Sequence, residues 1–162
     1  MFKIRSATPA DVTIIFDLIK ALAEYEQLSD AVVGNESDLC EHLFGKRPYA
    51  EAILAEWNHE TAGFALFFHN YSTFLTKPGI YLEDLFVLPE YRRRGIGKAM
   101  LIYIAKLGLE KGIGRFEWSV LDWNESAIAF YRKMGAEIFP EWQTCRVRGK
   151  ALGQLANLEI EP

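Results

Sequence analysis

The segment from Ile80 to Lys98 constrains the fold more than any other part of this chain. Its first half is mostly apolar and predicts a buried strand; its second half carries Gly95 and Gly97 in a basic turn before a helix. The start of a helix presents unpaired backbone N–H groups and the positive end of the helix dipole. Glycines at alternate positions let an anion approach that backbone closely, so the segment predicts a phosphate site, most simply for a pyrophosphate.

Two common phosphate-binding motifs are excluded by the residues around these glycines. A dinucleotide-binding turn has a third glycine where this chain has Met100, and a P-loop has Gly-Lys followed by Ser or Thr, which is absent. The pattern that remains is Arg-x-x-Gly-x-Gly, from Arg92 to Gly97. By itself it also fits an ordinary strand-to-helix turn with solvated arginines, so the motif alone leaves both interpretations open.

The composition predicts one domain, residues 1–162, with a sizeable core, because half of the residues are hydrophobic. The net charge of −4 and the pI of about 5.4 argue against a general nucleic-acid-binding protein, which usually carries a basic face. The local cluster Arg92-Arg93-Arg94 suits one small anion better than a polymer. We therefore expect a small-molecule ligand and no nucleic-acid partner.

Cysteines, histidines and the N-terminus give no sign of a metal or a membrane. Cys40 and Cys145 are far apart, and the three histidines lack the spacing of metal ligands, so neither a disulfide framework nor a metal site is expected. The N-terminus lacks the apolar stretch of a signal peptide, and the longest apolar run is too short to span a bilayer. A cytoplasmic protein is the expectation.

Hydrophobic periodicity and turn residues predict an α/β domain with a mixed sheet. A capping box at Thr8 and Asp11 begins the first helix, and Asn124 and Gly135 bound the last predicted one. The predicted strands are Phe2–Arg5, Ala50–Trp57, Gly63–His69, Ile80–Leu88, Arg115–Leu121, Glu137–Phe139 and Thr144–Val147. The predicted helices follow Thr8, cover Glu36–Phe44, and follow Gly95 and Asn124.

Three segments together resemble a known family: Tyr81–Val87, Tyr91–Lys98, and Val120–Glu125 with the following Phe130-Tyr131. They are similar to the GNAT superfamily of N-acetyltransferases, and within it to the diamine group, which holds spermidine/spermine and thialysine acetyltransferases. The resemblance runs nearly end to end. It implies the GNAT fold, a mostly antiparallel central sheet flanked by helices, with acetyl-CoA as cofactor and a homodimeric assembly.

The resemblance also implies a set of cofactor-binding residues. Backbone groups of Leu85, Phe86 and Val87 would pair with the pantetheine arm as an added strand does. The pyrophosphate would be held by the loop and helix start, Arg92, Arg93, Arg94, Gly95, Ile96, Gly97 and Lys98. The far side of the cofactor would be lined by Asn124, Glu125, Ser126 and Ala127. Asn124 is also typical of a helix cap, and one residue can both cap the helix and line the cofactor.

Acetyl transfer to an amine requires that the amine lose its proton, because an alkyl ammonium has a pKa near ~10. The resemblance makes Glu83 the group that takes this proton, directly or through water. In a regular strand Asp84 would point to the opposite face, so we expect it to be structural unless a bulge re-aims it. A backbone N–H near Leu85 or Phe86 would stabilise charge on the thioester oxygen. Tyr131 would protonate the thiolate, although its spacing alone fits a core aromatic.

The acceptor site is implied less sharply. Tyr25 and Glu26, at the end of the first helix, match substrate-contacting positions of the group, and Glu117, Trp118 and Ser119 are further candidates, although Trp118 also fits a core position. Polyamine-acetylating members carry an acid in the loop before the Leu-Glu-Asp strand. This chain has Asn70–Phe74 there, without an acid, which favours an amino-acid-like or short diamine substrate.

The sequence therefore predicts an acetyl-CoA-dependent N-acetyltransferase that modifies a primary amine of a small molecule by direct attack of that amine. Two alternatives stay open. One is an enzyme that acetylates a peptide or protein, which would need an open acceptor groove. The other is a non-catalytic acyl-CoA-binding regulatory domain, which would bind the cofactor without turnover.

Overall fold

The computed structural model describes residues 1–160, which form five strands and five helices. The strands are β1 (Phe2–Ser6), β2 (Glu51–Trp57), β3 (Glu60–Ser72), β4 (Lys77–Val87) and β5 (Arg115–Trp118). The helices are α1 (Val12–Tyr25), α2 (Glu36–Phe44), α3 (Ile96–Glu110), α4 (Glu125–Lys133) and α5 (Gly149–Ala156). None of the helices in this described part has both the length and the apolar character that crossing a bilayer requires.

The five strands form one sheet in the order β1-β2-β3-β4-β5. Neighbours run antiparallel except β4 and β5, which are parallel and are connected through α3. A two-residue turn at Asn58 and His59, both with positive φ, joins β2 to β3 as such turns do in tight hairpins. The structure thus confirms the predicted mixed, mostly antiparallel sheet.

Helices cover both faces of this sheet. On one face α1 and α2 pack on β2, β3 and the end of β4 around a core of Ile15, Leu18, Leu22, Leu43, Leu54, Phe64 and Phe86. On the other face α3 packs against β4, and a β-carbon added to its Gly108 would touch the Ile80 side chain. This close approach explains a glycine in the middle of an apolar helix face.

A β-bulge changes the direction of β4 at its centre. Asp84 pairs with Leu66 and Leu82 pairs with Phe67, which leaves Glu83 as the extra residue. Ile80 contacts α3 and Phe86 contacts the α1/α2 core, although residues an even number apart in a regular strand share a face. The bulge therefore reverses which side chains face α1, and this reversal is what shapes the site.

The chain divides into two compact units, Met1–Asp122 and Trp123–Pro162. The first unit contains the sheet with α1, α2 and α3, and the second contains α4 and α5. The predicted closing strands Glu137–Phe139 and Thr144–Val147 are wrong, because both segments are irregular and largely exposed. Alternating apolar residues are insufficient for a strand when no neighbour supplies hydrogen bonds. Strand β5 also ends at Trp118, before the predicted end at Leu121.

Candidate active site

Strand β4 has an open edge after the bulge. Its pairing with β5 covers Gly79 to Leu82 only, so the following residues of β4 have no strand on that side within the described chain. Leu88 donates its N–H to Ala62 of β3, and hydrogen bonding alternates along an antiparallel strand. The N–H and C=O groups of Leu85 and Val87 therefore point to the open edge. Those of Phe86 point to β3, so of the three predicted pantetheine-binding residues only two offer main-chain groups there.

The loop after β4 leads directly into the N-terminus of α3. Arg93 and Gly95 have left-handed φ values of 62° and 78°, and such alternation turns successive N–H groups towards one concave point. Among the residues that the structure describes, no side chain caps α3. The first N–H groups of the helix, from Ile96 to Lys98, therefore remain donors for an external anion.

The three arginines of this loop differ in where their side chains lie. Arg92 is half-buried and turns back over β4, donating from Nε to the carbonyl oxygen of Val87 at 2.9 Å. Arg93 and Arg94 are exposed, and the Arg94 guanidinium carbon lies 5.2 Å from the ring centroid of Trp57. The loop thus offers an anion main-chain donors first and two exposed cations around them.

A nucleotide-bearing thioester matches this set of donors. The open edge at Leu85 and Val87 can hydrogen-bond an amide-containing arm as a strand would, and the start of α3 lies a short loop beyond it. Acetyl-CoA has amides in its pantetheine arm and a pyrophosphate further along, in the same order. The donors in this stretch of unit 1 therefore fit the cofactor that the sequence predicts.

Two other carboxyl groups act on Asp84 at the bulge. Burial first, and then the negative charges of Glu83 and Glu26, together raise the pKa of Asp84 to about 7. Burial also raises the pKa of Glu26, the residue that follows α1. Glu83 is exposed. The structure therefore gathers the predicted Glu83 and Glu26 around Asp84, which the bulge directs towards the α1 side of the sheet.

Two predicted residues of β5 and the residue after it already have partners in unit 1. Glu117 forms an ion pair with Arg115 at 2.6 Å and accepts a hydrogen bond from Asn70. The Trp118 ring packs edge-on against Phe116 at 5.0 Å, as its core alternative requires. Ser119 hydrogen-bonds the Tyr81 hydroxyl at 2.7 Å. These contacts join β5 to its neighbours just where β4 and β5 stop pairing.

The remaining predicted residues lie in the second unit. Asn124 begins α4, and its side-chain oxygen accepts a hydrogen bond from the Ala127 N–H at 3.3 Å, so it is a helix cap. Ser126 also approaches this oxygen, and Glu125 is exposed. Tyr131 is half-buried, with its ring 5.3 Å from that of Phe130.

A match to a known family covers β2 to β5, the loop and α4. Residues 17–136, more than half of the chain, match the Acetyltransferase (GNAT) family. The chain belongs to this family. It is accordingly an N-acetyltransferase, and GNAT acetyltransferases take their acyl group from acetyl-CoA.

Curated relatives are similar over almost their full length. Thialysine N-epsilon-acetyltransferase of Sus scrofa is 38% identical over 95% of this GNAT chain and 96% of its own. L-ornithine N5-acetyltransferase of Arabidopsis thaliana is 36% identical, covering 98% of this chain and 89% of its own. Both are named for acetylation of an amine on a small molecule, which agrees with the predicted reaction class.

Solved structures share the GNAT fold at lower identity. An integron cassette protein from the mobile metagenome of V. cholerae has a TM-score of 0.81 and 24% identity, covering 97% of this chain and 98% of its own. An aminoglycoside acetyltransferase from a soil metagenome has a TM-score of 0.76 and 19% identity, covering 91% and 97%. At these identities the likeness supports the fold alone.

Sequence reasoning missed the position of Asp84 and the side-chain contacts of Arg92. The bulge that re-aims Asp84 is a matter of register between β3 and β4, and the residue types of β4 do not mark it. The contacts of Arg92 with α1 join residues far apart in sequence. Within residues 1–160, no group of three or more His, Cys, Asp or Glu side chains is arranged to hold a metal ion.

Proposed function

We propose that this GNAT enzyme acetylates a terminal amine of a small amino-acid-like or short diamine substrate by direct attack of the amine. The observation that carries the proposal is the group of carboxyls at the bulge, Glu26, Glu83 and Asp84, beside the open edge of β4. A cationic amine fits this negative environment. Relatives named for L-ornithine and thialysine, which carry such an amine, support this substrate class.

On the donor side the proposal assigns main-chain groups to the cofactor. The C=O of Leu85 and the N–H of Val87 would hold its pantetheine arm, and the N–H groups from Arg93 to Lys98 would hold its pyrophosphate. Bound acetyl-CoA supplies the acetyl group as a thioester. An N–H at the open edge, that of Leu85 first, is placed to stabilise charge on the acyl oxygen.

On the acceptor side the carboxyls at the bulge would take the proton of the ammonium. Glu83 is the predicted base and stays so, because it is exposed at the bulge. Asp84 joins it as a second candidate, since a pKa of about 7 suits a group that exchanges a proton at neutral pH. We propose that Glu83 contacts the ammonium and that the proton comes to rest on an Asp84 carboxylate oxygen.

The thiolate that leaves after acetyl transfer needs a proton. Tyr131 carries a phenol that can donate one, and the resemblance of the Phe130-Tyr131 pair to the family supports this assignment. Its hydroxyl would act as the general acid, while Asn124, Glu125, Ser126 and Ala127 of the same unit would line the cofactor.

Steady-state kinetics with a panel of amines tests these assignments. The panel contains ornithine, thialysine, a short diamine, spermine and a lysine-containing peptide, and thiol release from acetyl-CoA reports turnover. We expect ornithine or thialysine to give the highest kcat/KM, because no acid lies in the Asn70–Phe74 loop to pair with a long polycation. Preference for the peptide would favour the protein-acetylating alternative, and cofactor binding without turnover would favour the regulatory one.

The pH dependence of kcat/KM separates the two candidate bases. If Asp84 holds the proton, the acid limb of the profile near pH 7 disappears in Asp84→Asn. In Glu83→Gln it persists with lower activity and at a lower pH, because the Glu83 charge no longer raises the Asp84 pKa. The opposite result would assign the proton to Glu83. Acetyl-CoA affinity, measured by calorimetry, should be nearly unchanged in both variants, because neither side chain is assigned to the cofactor.

The assembly and the location of the chain complete the proposal. One domain is supported by the family match, which crosses the boundary between the two units, and a single cooperative unfolding transition would test it. A homodimer is supported by exposed apolar side chains in the second unit and is tested by light scattering. The most exposed of them are Phe139, Trp142, Leu158 and Ile160. A cytoplasmic location is supported by two unpaired cysteines and is tested by fractionation.

A further inference from the structure

The Arg92 side chain lies between two elements that are far apart in sequence. Its guanidinium carbon is 4.6 Å from the ring centroid of Tyr25, in the last turn of α1, and 5.4 Å from that of Phe86 in β4. Its Nε donates to the Val87 carbonyl oxygen at 2.9 Å. The Tyr25 and Phe86 rings are themselves 6.3 Å apart, so the four residues form one cluster.

This cluster fixes the position of the end of α1. The helix ends without a glycine, and Gln27 takes a left-handed φ of 61° although it carries a β-carbon. Tyr25 is 39% exposed, so this residue is not held by deep burial, although Leu22 and Ala23 in the same turn are buried. A guanidinium over the ring supplies the missing contact, because cation–π attraction strengthens as the cation loses water.

Glu26, the residue after Tyr25, connects the contact between Arg92 and Tyr25 to the side of the site where the amine would bind. Glu26 is the residue whose charge reaches Asp84 and helps to raise its pKa. A displacement of the last turn of α1 would move Glu26 relative to the bulge. The ring contact of Arg92 with Tyr25 is therefore made towards the amine side of the site, while Arg93 and Arg94 in the same loop remain exposed. The hydrogen bond of Arg92 takes the Val87 carbonyl oxygen, whereas the cofactor is assigned the Val87 N–H.

We propose that Arg92 is a positioning residue that holds Tyr25 and Glu26 against the end of β4, and so governs binding of the amine and not of the cofactor. The inference rests on the proposed function for the identity of the acceptor site. Lysine cannot replace arginine here, because only a planar guanidinium stacks on rings while its Nε donates to a carbonyl.

Amide hydrogen exchange of the free protein tests the structural part directly. In Arg92→Lys and Arg92→Gln we expect exchange at residues 22–28 to rise on the order of fivefold, and exchange at α2 to stay unchanged. The matched control is Arg94→Lys. Arg94 lies in the same loop, and its guanidinium stacks on Trp57 and Tyr91, away from α1. It should leave residues 22–28 as in the wild type.

Kinetics test the functional part. In Arg92→Lys we expect the KM of the amine to rise about tenfold, with the KM of acetyl-CoA within about twofold of wild type. Tyr25→Leu should have the same effect, Tyr25→Phe should not, and the double variant Tyr25→Leu/Arg92→Lys should be no worse than either single one. Thermal unfolding checks that each variant is folded.

Each outcome decides one statement. Unchanged amide exchange at residues 22–28 in Arg92→Lys would overturn the positioning role. A rise in the KM of acetyl-CoA with the amine KM unchanged would also overturn it, because Arg92 would then be a phosphate ligand. Faster exchange with both KM values unchanged would reduce Arg92 to a structural contact and also overturn the inference. A wild-type enzyme without turnover on any amine would refute the proposed function, while the exchange data would still decide whether Arg92 holds α1.

Discussion

Replacing Asp84 with Asn should make the protein more stable at alkaline pH while it damages catalysis. The Asp84 pKa is raised from 3.8 to about 7, first by burial and then by the charges of Glu83 and Glu26. Above pH 3.8 the unfolded chain releases this proton and the folded chain keeps it. Stability is therefore lost as pH rises from 3.8 to about 7, and the loss is complete above pH 7.

The size of the effect follows from the shift. About three pKa units correspond to roughly 4 kcal/mol in total, since one unit is worth about 1.4 kcal/mol. About 2–3 kcal/mol of this loss falls between pH 5 and pH 8. The amide of Asp84→Asn does not titrate, so the variant should gain about 2–3 kcal/mol relative to wild type over that interval.

Urea unfolding at pH 5 and pH 8 measures this difference. Asp30→Asn serves as the control, because Asp30 is exposed and its replacement should give a nearly constant difference from wild type. The other titrating groups, apart from Glu26 and Glu83, whose charges act on Asp84, cancel in the comparison. A change below about 0.5 kcal/mol between the two pH values would refute the argument that Asp84 is held protonated by its surroundings.

Three further predictions concern other parts of the chain. Arg5 holds the pKa of Asp11 well below its usual range, so the stabilisation from this pair is present above pH 3.8 and is lost as pH falls below that value. Asp11→Asn should therefore lower the free energy of unfolding by about 2 kcal/mol at pH 7 and by less at pH 3, measured by urea unfolding. Gly95→Ala should destabilise by about 1 kcal/mol in the same assay, from backbone strain alone, because a β-carbon there meets no atom within 4 Å. Tyr131→Phe should lower kcat about 100-fold with acetyl-CoA affinity unchanged by calorimetry; an unchanged kcat would remove Tyr131 from the mechanism.

Local signals in the sequence were sufficient to predict most of the helices and strands. The capping box formed as predicted, with the Thr8 N–H donating to Asp11 at 2.8 Å, and Asn124 caps α4. The strand-turn-helix segment from β4 to α3 also formed where the glycines indicate. The two caps depend on residues within four positions of each other, so their physics is contained in the local sequence.

Local signals failed where pairing or exposure decides the structure. Strands were predicted at Glu137–Phe139 and Thr144–Val147, and these segments are irregular instead. Helix α5, Gly149–Ala156, was not among the predicted helices. A strand exists only with a hydrogen-bonded neighbour, and one segment's residues do not specify whether that neighbour is present.

The sequence alone was enough to predict the phosphate-binding turn, the family and hence the kind of reaction. Helix starts, glycine turns and shared motifs can be recognised because each consists of residues that are contiguous in the chain. Tertiary structure decided which carboxyl is buried and which arginine turns inward. Both depend on a one-residue shift in strand register and on a helix end brought alongside from sixty positions earlier or more, and chain neighbours carry no information about either.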